Sequence, residues 1–222
     1  MRILFIEPPK DIWFVMGEYV PPPYGIIQLA AYLEKKVNNV EIDILDCNAQ
    51  QIDWNGLEKR IESLQPDIVA SSALATCNTY VVVRTLEIAK KINPNILTIT
   101  GGQHFSALAQ ESLENYSIID VIVREEGEET LVELVRNAGK KSFFPKIKGI
   151  SYRYKGKIYH NPSRPLIDNL NELPYPGYHL VEDIIQKYHF AAMAGRKAPY
   201  ALIEGSRGCS HRCTFCTQWR HW

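Results

Sequence analysis

The sequence predicts an α/β protein built around a parallel β-sheet. Within residues 1–140, five short apolar runs alternate with five segments whose apolar residues recur at helical spacing. A strand that is followed by a helix and then by another strand gives a right-handed crossover, and repeated crossovers give a parallel sheet. A part of about 140 residues has the size of a flavodoxin-like (Rossmann-type) domain, with five parallel strands and helices on both faces of the sheet.

The predicted strands are short and almost continuously apolar, as expected where helices cover both faces of a parallel sheet. They span residues 3–6, 40–45, 68–71, 96–100 and 118–123. The predicted helices span residues 26–37, 54–64, 78–92, 106–115 and 128–137. Such sheets bind ligands beyond the carboxyl ends of their strands, so the loops after the first, third, fourth and fifth strands are the candidate binding loops.

The pattern changes after residue 140. Two strand-like runs at residues 149–154 and 157–160 flank Lys155-Gly156, which is a hairpin signal. A proline-rich stretch follows at 161–178, then a predicted helix at 178–188 and a predicted strand at 198–203. We therefore expect three parts: a Rossmann-like domain at 1–140, a hairpin and proline-rich linker at 141–177, and the start of a further domain at 178–222.

Composition and charge exclude several classes of protein. Lys plus Arg and Asp plus Glu balance at 25 each, which argues against a dedicated nucleic-acid surface. No apolar run approaches the roughly 20 residues of a membrane span, and the run at residues 3–6 is too short for a signal-peptide core. The five cysteines are odd in number and clustered, unlike a secreted disulfide framework. We expect a cytoplasmic protein.

Three of the five cysteines form a CxxxCxxC motif at Cys209, Cys213 and Cys216. Three thiolates on one short loop can hold three irons of a cubane cluster and leave the fourth iron open. The alternative is a zinc site, with His211 or His221 as the fourth ligand that a closed structural site requires. The two remaining cysteines, at positions 47 and 77, adjoin strand ends and are expected to be small buried side chains.

The segment Gly208-Cys209-Ser210-His211-Arg212-Cys213-Thr214-Phe215-Cys216 resembles the cluster loop of radical S-adenosylmethionine enzymes. The resemblance implies that the three cysteines ligate a [4Fe–4S] cluster, that S-adenosylmethionine chelates the open iron, and that Phe215 lies near the adenine. It also implies that residues 200–203 are the first strand of a (β/α) barrel. In such an enzyme the cofactor performs the difficult chemistry, and the protein positions it.

The first half resembles the cobalamin-binding domain that precedes the radical core in one large subfamily. The matching segments are Pro22-Pro23-Tyr24-Gly25, Ser71-Ser72-Ala73-Leu74-Ala75-Thr76, Gly101-Gly102-Gln103-His104 and Glu126-Gly127-Glu128-Glu129-Thr130. The cobalamin-binding residues that the resemblance implies are Tyr24, Gly25, Ser71, Ser72, Thr76, Gly101, Gly102, Gln103, Glu126 and Gly127.

Simpler explanations exist for each of these segments. Paired glycines allow backbone to approach a ligand closely, but they also make an ordinary tight turn between strand and helix. Hydroxyl residues cap helices, and carboxylates favour a helix N-terminus without any ligand. Two features depart from the subfamily: the DxHxxG motif that supplies a histidine ligand to cobalt is absent from the sequence, so cobalamin is expected to bind without it, and Glu125 stands where Gly is commoner.

The expected function is that of the amino-terminal part of a cobalamin-dependent radical S-adenosylmethionine enzyme. The resemblance implies methyl transfer to an unactivated carbon, or a ring-forming or rearranging reaction, with a small-molecule substrate and an electron donor such as a ferredoxin or flavodoxin. The barrel needs roughly 150–200 residues beyond the cysteine loop, so this chain by itself is expected to be inactive and offers no catalytic residue. The alternatives are a cobalamin-binding module without catalysis, and a nucleotide- or flavin-binding flavodoxin-like domain, which the absence of a GxGxxG motif disfavours.

Overall fold

A computed structural model describes residues 1–10, 19–190 and 198–216. The strands are β1 (Arg2–Glu7), β2 (Tyr19–Val20), β3 (Glu41–Asp46), β4 (Ile68–Ser72), β5 (Leu97–Gly101), β6 (Val121–Val123), β7 (Ile150–Tyr154), β8 (Lys157–His160) and β9 (His189–Phe190). The α-helices are α1 (Tyr24–Lys36), α2 (Trp54–Leu64), α3 (Thr79–Ile92), α4 (Gln103–Ala107), α5 (Ala109–Asn115) and α6 (Glu128–Arg136). Segments of 3₁₀ helix lie at Thr76–Asn78, Lys141–Lys146, Leu170–Glu172 and Tyr178–Lys187.

The main sheet has seven strands in the order β3-β1-β4-β5-β6-β7-β8. The first five are parallel to their neighbours, which confirms the predicted parallel sheet and its flavodoxin-like strand order. The predicted hairpin is also present, but it is more than a linker. It adds β7 and β8 to the sheet as antiparallel strands, with Val121 opposite Tyr152.

The core lies on both faces of this sheet. Along β1, Ile3 and Phe5 pack under α1 and α6, whereas Leu4 and Ile6 pack under α2, α3 and α5. Successive side chains of a strand point to opposite faces, so a strand between two helical layers must be apolar at every position. This explains why β1 appears in the sequence as an unbroken apolar run.

Three predicted elements differ from the structure. The helix expected at 106–115 is divided into α4 and α5 at Leu108, whose φ and ψ of −115° and 37° are not helical. The helix expected at 178–188 is a 3₁₀ segment with a kink at Val181. The strand expected at 198–203 is not formed: the backbone N–H and C=O of Leu202 bond to the Tyr178 hydroxyl instead of to a neighbouring strand among the described residues. A strand needs a hydrogen-bonded partner, and its apolar sequence alone does not supply one.

The segment at 178–190 packs against the Rossmann-like domain. Val181, Ile184 and Tyr188 form a small core with Ile27 of α1 and Ala49. Close by, β9 pairs with β2. The region after the hairpin is therefore attached to the first domain near the carboxyl end of β3. Within the described ranges, the helices are all too short or too polar to cross a membrane.

Tyr188 covers a buried carboxylate at the end of β3. Asp46 is 1% exposed, and one of its oxygens accepts hydrogen bonds from the backbone N–H groups of Asn48 and Ala49 at 3.1 Å each. Burial, together with the nearby Glu7 carboxylate, raises the pKa of Asp46 to about 6. A carboxyl whose folded-state pKa lies above its unfolded value favours the folded state at low pH and loses that contribution as the pH rises through the folded value.

We expect Asp46→Asn to remove this pH dependence. The amide oxygen of Asn can accept the same two hydrogen bonds without carrying a charge. Relative to Asp46→Asn, the wild-type free energy of unfolding should fall by roughly 2–3 kcal/mol between pH 4 and pH 8. Urea unfolding at several pH values measures this difference, with Asp168→Asn at an exposed position as the control. A constant difference across this range would contradict the prediction.

Candidate functional site

A large cleft lies at the carboxyl end of the parallel strands. Its volume is about 1270 Å³, above the 300–1,000 Å³ typical of small-molecule pockets. The ends of β1, β4, β5 and β6 form its floor, and the first turn of α1 and the loop at 47–54 form two walls. Leu202, Glu204 and Arg207, just before the cysteine motif, line it as well. The cleft therefore lies where parallel α/β sheets bind their ligands.

Most of the predicted cobalamin-binding residues line this cleft. They are Tyr24, Gly25, Ser71, Ser72, Gly101, Gly102, Gln103 and Gly127. Three other predicted cofactor-binding residues, Thr76, Glu126 and Phe215, are absent from its lining. These assignments come from four separate loops, and the parallel topology brings the loops together at one edge of the sheet.

Two hydroxyl groups in the floor of the cleft lack a hydrogen-bond partner. Ser71 on β4 and Thr100 on β5 are register partners, and they are 3% and 2% exposed. Neither hydroxyl oxygen has a partner among the described residues. A buried polar group without a partner is unfavourable unless a ligand or water satisfies it. The pair therefore fits a large polar ligand such as cobalamin, whose tail and amide groups accept and donate hydrogen bonds.

Thr100 was not among the residues predicted from sequence. It lies in an apolar strand directly before the glycine pair. Of the two residues, only Ser71 belongs to a segment that resembles the family. The sequence feature that could have identified Thr100 is a hydroxyl residue near the carboxyl end of a buried strand, one residue before its last. The register that brings it beside Ser71 is a property of the sheet.

The glycine pair is required by the packing of the protein itself. A Cβ atom on Gly101 would lie 2.8 Å from the backbone oxygen of Val123, and one on Gly102 would lie 2.6 Å from the backbone oxygen of Ala73. Gly102 also has φ of +86°, a region that L side chains rarely adopt. The tight-turn explanation therefore accounts for both glycines, even though both line the cleft.

Thr76 and His104 lie together outside the cleft. The Thr76 hydroxyl is 3.1 Å from Nδ1 of His104, and both line a second, smaller cavity of about 360 Å³. The predicted role of Thr76 in the main cleft therefore lacks structural support, because the 3₁₀ segment at 76–78 carries it away from the ends of the strands.

Glu126 belongs to a buried ion cluster centred on Arg207. One oxygen of Glu126 accepts from the guanidinium at 3.1 Å, and the other accepts from the N–H of Ile167 at 2.6 Å. Arg207 also donates to Glu128 at 2.5 Å and to Glu204 at 2.7 Å. Burial alone would lower the pKa of Arg207, but the three carboxylates raise it above its ordinary value. Glu126 thus holds a protein cation, which is not the role that the sequence suggested.

The cysteine loop lies on the surface next to this cluster. Cys209 and Cys213 are exposed, Cys216 is partly buried, and the N–H of Cys216 donates to the carbonyl of Cys213 at 3.1 Å. Phe215 is 90% exposed. Within the described ranges, His, Cys, Asp and Glu side chains do not converge in a group of three that could hold a metal. Of the two candidate zinc ligands, His211 is exposed and His221 lies outside the described residues.

The remaining two cysteines differ from each other. Cys47 is buried as predicted, and its burial raises the pKa of the thiol to about 12. Cys77 was expected to be buried but is exposed, because it lies on the 3₁₀ segment after β4 and not in the core.

The comparisons agree with this geometry. Residues 15–135 match the B12 binding domain family. An uncharacterized methyltransferase of Pyrococcus horikoshii is 33% identical over 98% of this chain and 45% of its own length. The anaerobic magnesium-protoporphyrin IX monomethyl ester cyclase of Rubrivivax gelatinosus is 32% identical over the whole chain and 39% of its own length. The chain thus spans less than half the length of these relatives.

The fold also matches a solved structure. The cobalamin-dependent S-adenosylmethionine radical enzyme OxsB, with aqua-cobalamin and S-adenosylmethionine bound, superposes with a TM-score of 0.74 at 22% identity. The match covers 97% of this chain and 28% of that one. With the family match over more than half of its residues, the chain belongs to the B12 binding domain family.

Proposed function

We propose that this chain forms the cobalamin-binding part of a cobalamin-dependent radical S-adenosylmethionine enzyme. The observation that carries the proposal is the cleft at the carboxyl edge of the sheet, with two unpaired buried hydroxyls in its floor and the segment before the cysteine motif in its wall. Bound cobalamin would supply the methyl group, and S-adenosylmethionine would supply the radical chemistry, while residues of this chain would hold both cofactors. The reaction is methyl transfer to an unactivated carbon or a ring-forming reaction.

The residues of the cleft divide into polar and apolar contacts. Ser71 and Thr100 would bond polar atoms of the cobalamin tail, since both residues line the cleft and their hydroxyls have no partner among the described residues. The apolar side chains of Leu29, Val123 and Leu131 line the same cavity and suit the flat, mostly apolar part of the tail. Together they would orient the cofactor and exclude water from its buried end.

The cysteine loop would hold the second cofactor. Cys209, Cys213 and Cys216 would supply the three thiolates that hold a [4Fe–4S] cluster, and Phe215 would lie near the adenine of S-adenosylmethionine. An electron donor such as a ferredoxin or flavodoxin and a small-molecule substrate would be the partners. A reducing compartment such as the cytoplasm suits the free thiols of the described residues.

The domain organisation follows the same proposal. Residues 1–140 form the cobalamin-binding domain, 141–177 the hairpin and proline-rich connection, and 178–222 the start of the radical S-adenosylmethionine domain. The hairpin belongs structurally to the sheet of the first part. It would therefore fix the direction in which the chain leaves that domain.

A cobalamin-binding module without catalysis of its own is the second candidate. The arrangement of the motif favours it, because Cys209 and Cys213 are exposed and the described residues do not gather the three cysteines into a metal site. Anaerobic reconstitution of the chain with iron, sulfide and hydroxocobalamin separates the two. Cobalt with iron and sulfide supports the proposed enzyme, and cobalt alone supports the module. A flavin spectrum in place of corrin bands would contradict both.

We expect Thr100→Val to weaken cobalamin binding without destabilising the apo protein. Valine has the shape of threonine but leaves no unpaired hydroxyl, so the free energy of unfolding should be unchanged or higher by up to about 1 kcal/mol. Cobalamin affinity should fall by about tenfold through loss of one buried hydrogen bond. Titration with hydroxocobalamin, followed by the corrin bands, measures the affinity.

Thr98→Val is the matched control on the same strand. The Thr98 hydroxyl is fully used, donating to the carbonyl of Ile118 and accepting from the N–H of Asp120, and it is absent from the cleft lining. We expect Thr98→Val to lower the free energy of unfolding by about 1–3 kcal/mol while the folded protein keeps its cobalamin affinity. Equal effects of the two variants on affinity would refute the role assigned to Thr100.

A further inference from the structure

Arg207 joins two parts of the chain that are far apart in sequence. Its guanidinium contacts Glu126 and Glu128, which flank Gly127 at the start of α6, and Glu204 in its own segment. The side chain of Arg207 is 8% exposed, and those of Glu126 and Glu128 are 7% and 5% exposed. Glu126 is held in turn by the N–H of Ile167. The cluster is therefore a built, buried contact and not a surface ion pair.

The segment that carries the cysteines has few other attachments. Residues 201–216 contain no regular helix or strand. Ile203 is 75% exposed and Phe215 is 90% exposed, so apolar packing contributes little. The Tyr178 hydroxyl holds the backbone of Leu202, and Tyr24 contacts the backbone of Glu204. Arg207, two residues before Cys209, adds the buried contact with the start of α6.

The geometry of the Arg207 guanidinium is suited to holding this segment against the start of α6. Its planar fork binds several carboxylates in a fixed arrangement, which a flexible ammonium group does not do. Without it, Glu126, Glu128 and Glu204 would be left as three neighbouring carboxylates, two of them buried and all repelling each other. Loss of Arg207 should therefore release the segment and actively push it away from α6.

We propose that Arg207 is a positioning residue that holds the cysteine loop at the mouth of the cofactor cleft. The placement rests on the proposed function, in which cobalamin occupies the cleft and a cluster occupies the loop. Because Leu202, Glu204 and Arg207 also line the cleft, the same contact completes its wall. The segment before the motif thus sets the separation and orientation of the two cofactors.

Hydrogen exchange on the 222-residue chain without cofactors tests the attachment directly. Arg207→Met is expected to raise the exchange rate of peptides within residues 201–216 by about tenfold, while peptides of β4 and β5 keep their rates. Glu128→Gln is expected to raise the exchange rate of the same peptides by a smaller factor. It tests the same contact in a second variant, in case Arg207→Met fails to fold. The double variant should exchange more slowly than Arg207→Met alone, since Glu128→Gln removes one of the three carboxylates that repel each other once Arg207 is gone.

Arg164→Met is the matched control. Arg164 is also a poorly exposed arginine in an ion pair, with Glu133 at 2.7 Å, and it donates to Thr130 away from the cleft. It should leave exchange in residues 201–216 unchanged. Unchanged exchange in Arg207→Met would overturn the proposal, whatever the chain binds.

A distance measurement then separates positioning from general stability. After anaerobic reconstitution, pulsed electron paramagnetic resonance between cobalt(II) and the reduced cluster should give one narrow distance in wild type and in Arg164→Met. Among the molecules that carry both cofactors, Arg207→Met should broaden that distribution. An equally narrow distribution in Arg207→Met would overturn the proposal. A chain that binds neither cofactor would contradict the proposed function. The hydrogen-exchange result would then still decide whether Arg207 attaches residues 201–216 to α6.

Discussion

Gly102→Ala is expected to lower the free energy of unfolding by at least about 3 kcal/mol and to abolish cobalamin retention. Two effects combine at this position. The φ of +86° strains any L side chain by about 1–3 kcal/mol. The new Cβ would also lie 2.6 Å from the oxygen and 2.9 Å from the carbon of the Ala73 carbonyl, and backbone atoms cannot move aside cheaply. The loops after β4 and β5 must separate, which deforms the floor of the cleft.

Urea unfolding and hydroxocobalamin titration measure these two effects. Gly139→Ala is the control, since a Cβ there meets no atom within 4 Å and the position has no positive φ. It should stay within about 0.5 kcal/mol of wild type and bind cobalamin normally. A Gly102→Ala protein as stable as the Gly139→Ala protein would show that the loop after β4 accommodates a side chain, contrary to the packing described.

Replacement of any one of Cys209, Cys213 and Cys216 by Ala is expected to remove nearly all iron from the reconstituted chain. Wild type should bind about four irons and four sulfides, since three thiolates can hold a cubane cluster. Two thiolates leave two irons without protein ligands. In an exposed loop, surrounding side chains do little to retain such a cluster. Iron and sulfide analysis and the visible absorbance of the cluster provide the measurement.

Cys77→Ala is the appropriate control because Cys77 is likewise an exposed free thiol but lies outside the motif. It should keep the full iron content. Iron retained in a motif variant would indicate a ligand elsewhere in the chain. Stoichiometric zinc in the wild type, with no cluster after reconstitution, would favour the structural zinc site instead.

The sheet was predictable because its strands are buried on both faces. The run at Ile3, Leu4, Phe5 and Ile6 forms β1, and each of the other four predicted parallel strands is also present. The hairpin was predictable from Lys155-Gly156, and both residues have positive φ values. Local side-chain periodicity and turn chemistry determine these elements, so a single sequence contains the necessary information.

The site was predictable only in part. Parallel topology places Ser71, Ser72, Gly101 and Gln103 at one edge once the strands are known. The strand expected at 198–203 failed because its apolar pattern could not show that Tyr178, more than 20 residues earlier, takes the hydrogen bonds of Leu202.

By itself, the sequence predicted the family resemblance, the parallel sheet, the hairpin turn at Lys155-Gly156 and the cysteine motif, because each depends on patterns of residues that are close together in the chain. The tertiary structure decided the rest. It placed Thr100 beside Ser71 through strand register, and it directed Glu126 to Arg207, 81 positions away, and not to the cleft. A buried carboxylate requires a partner, but only the folded chain determines which cation comes within reach.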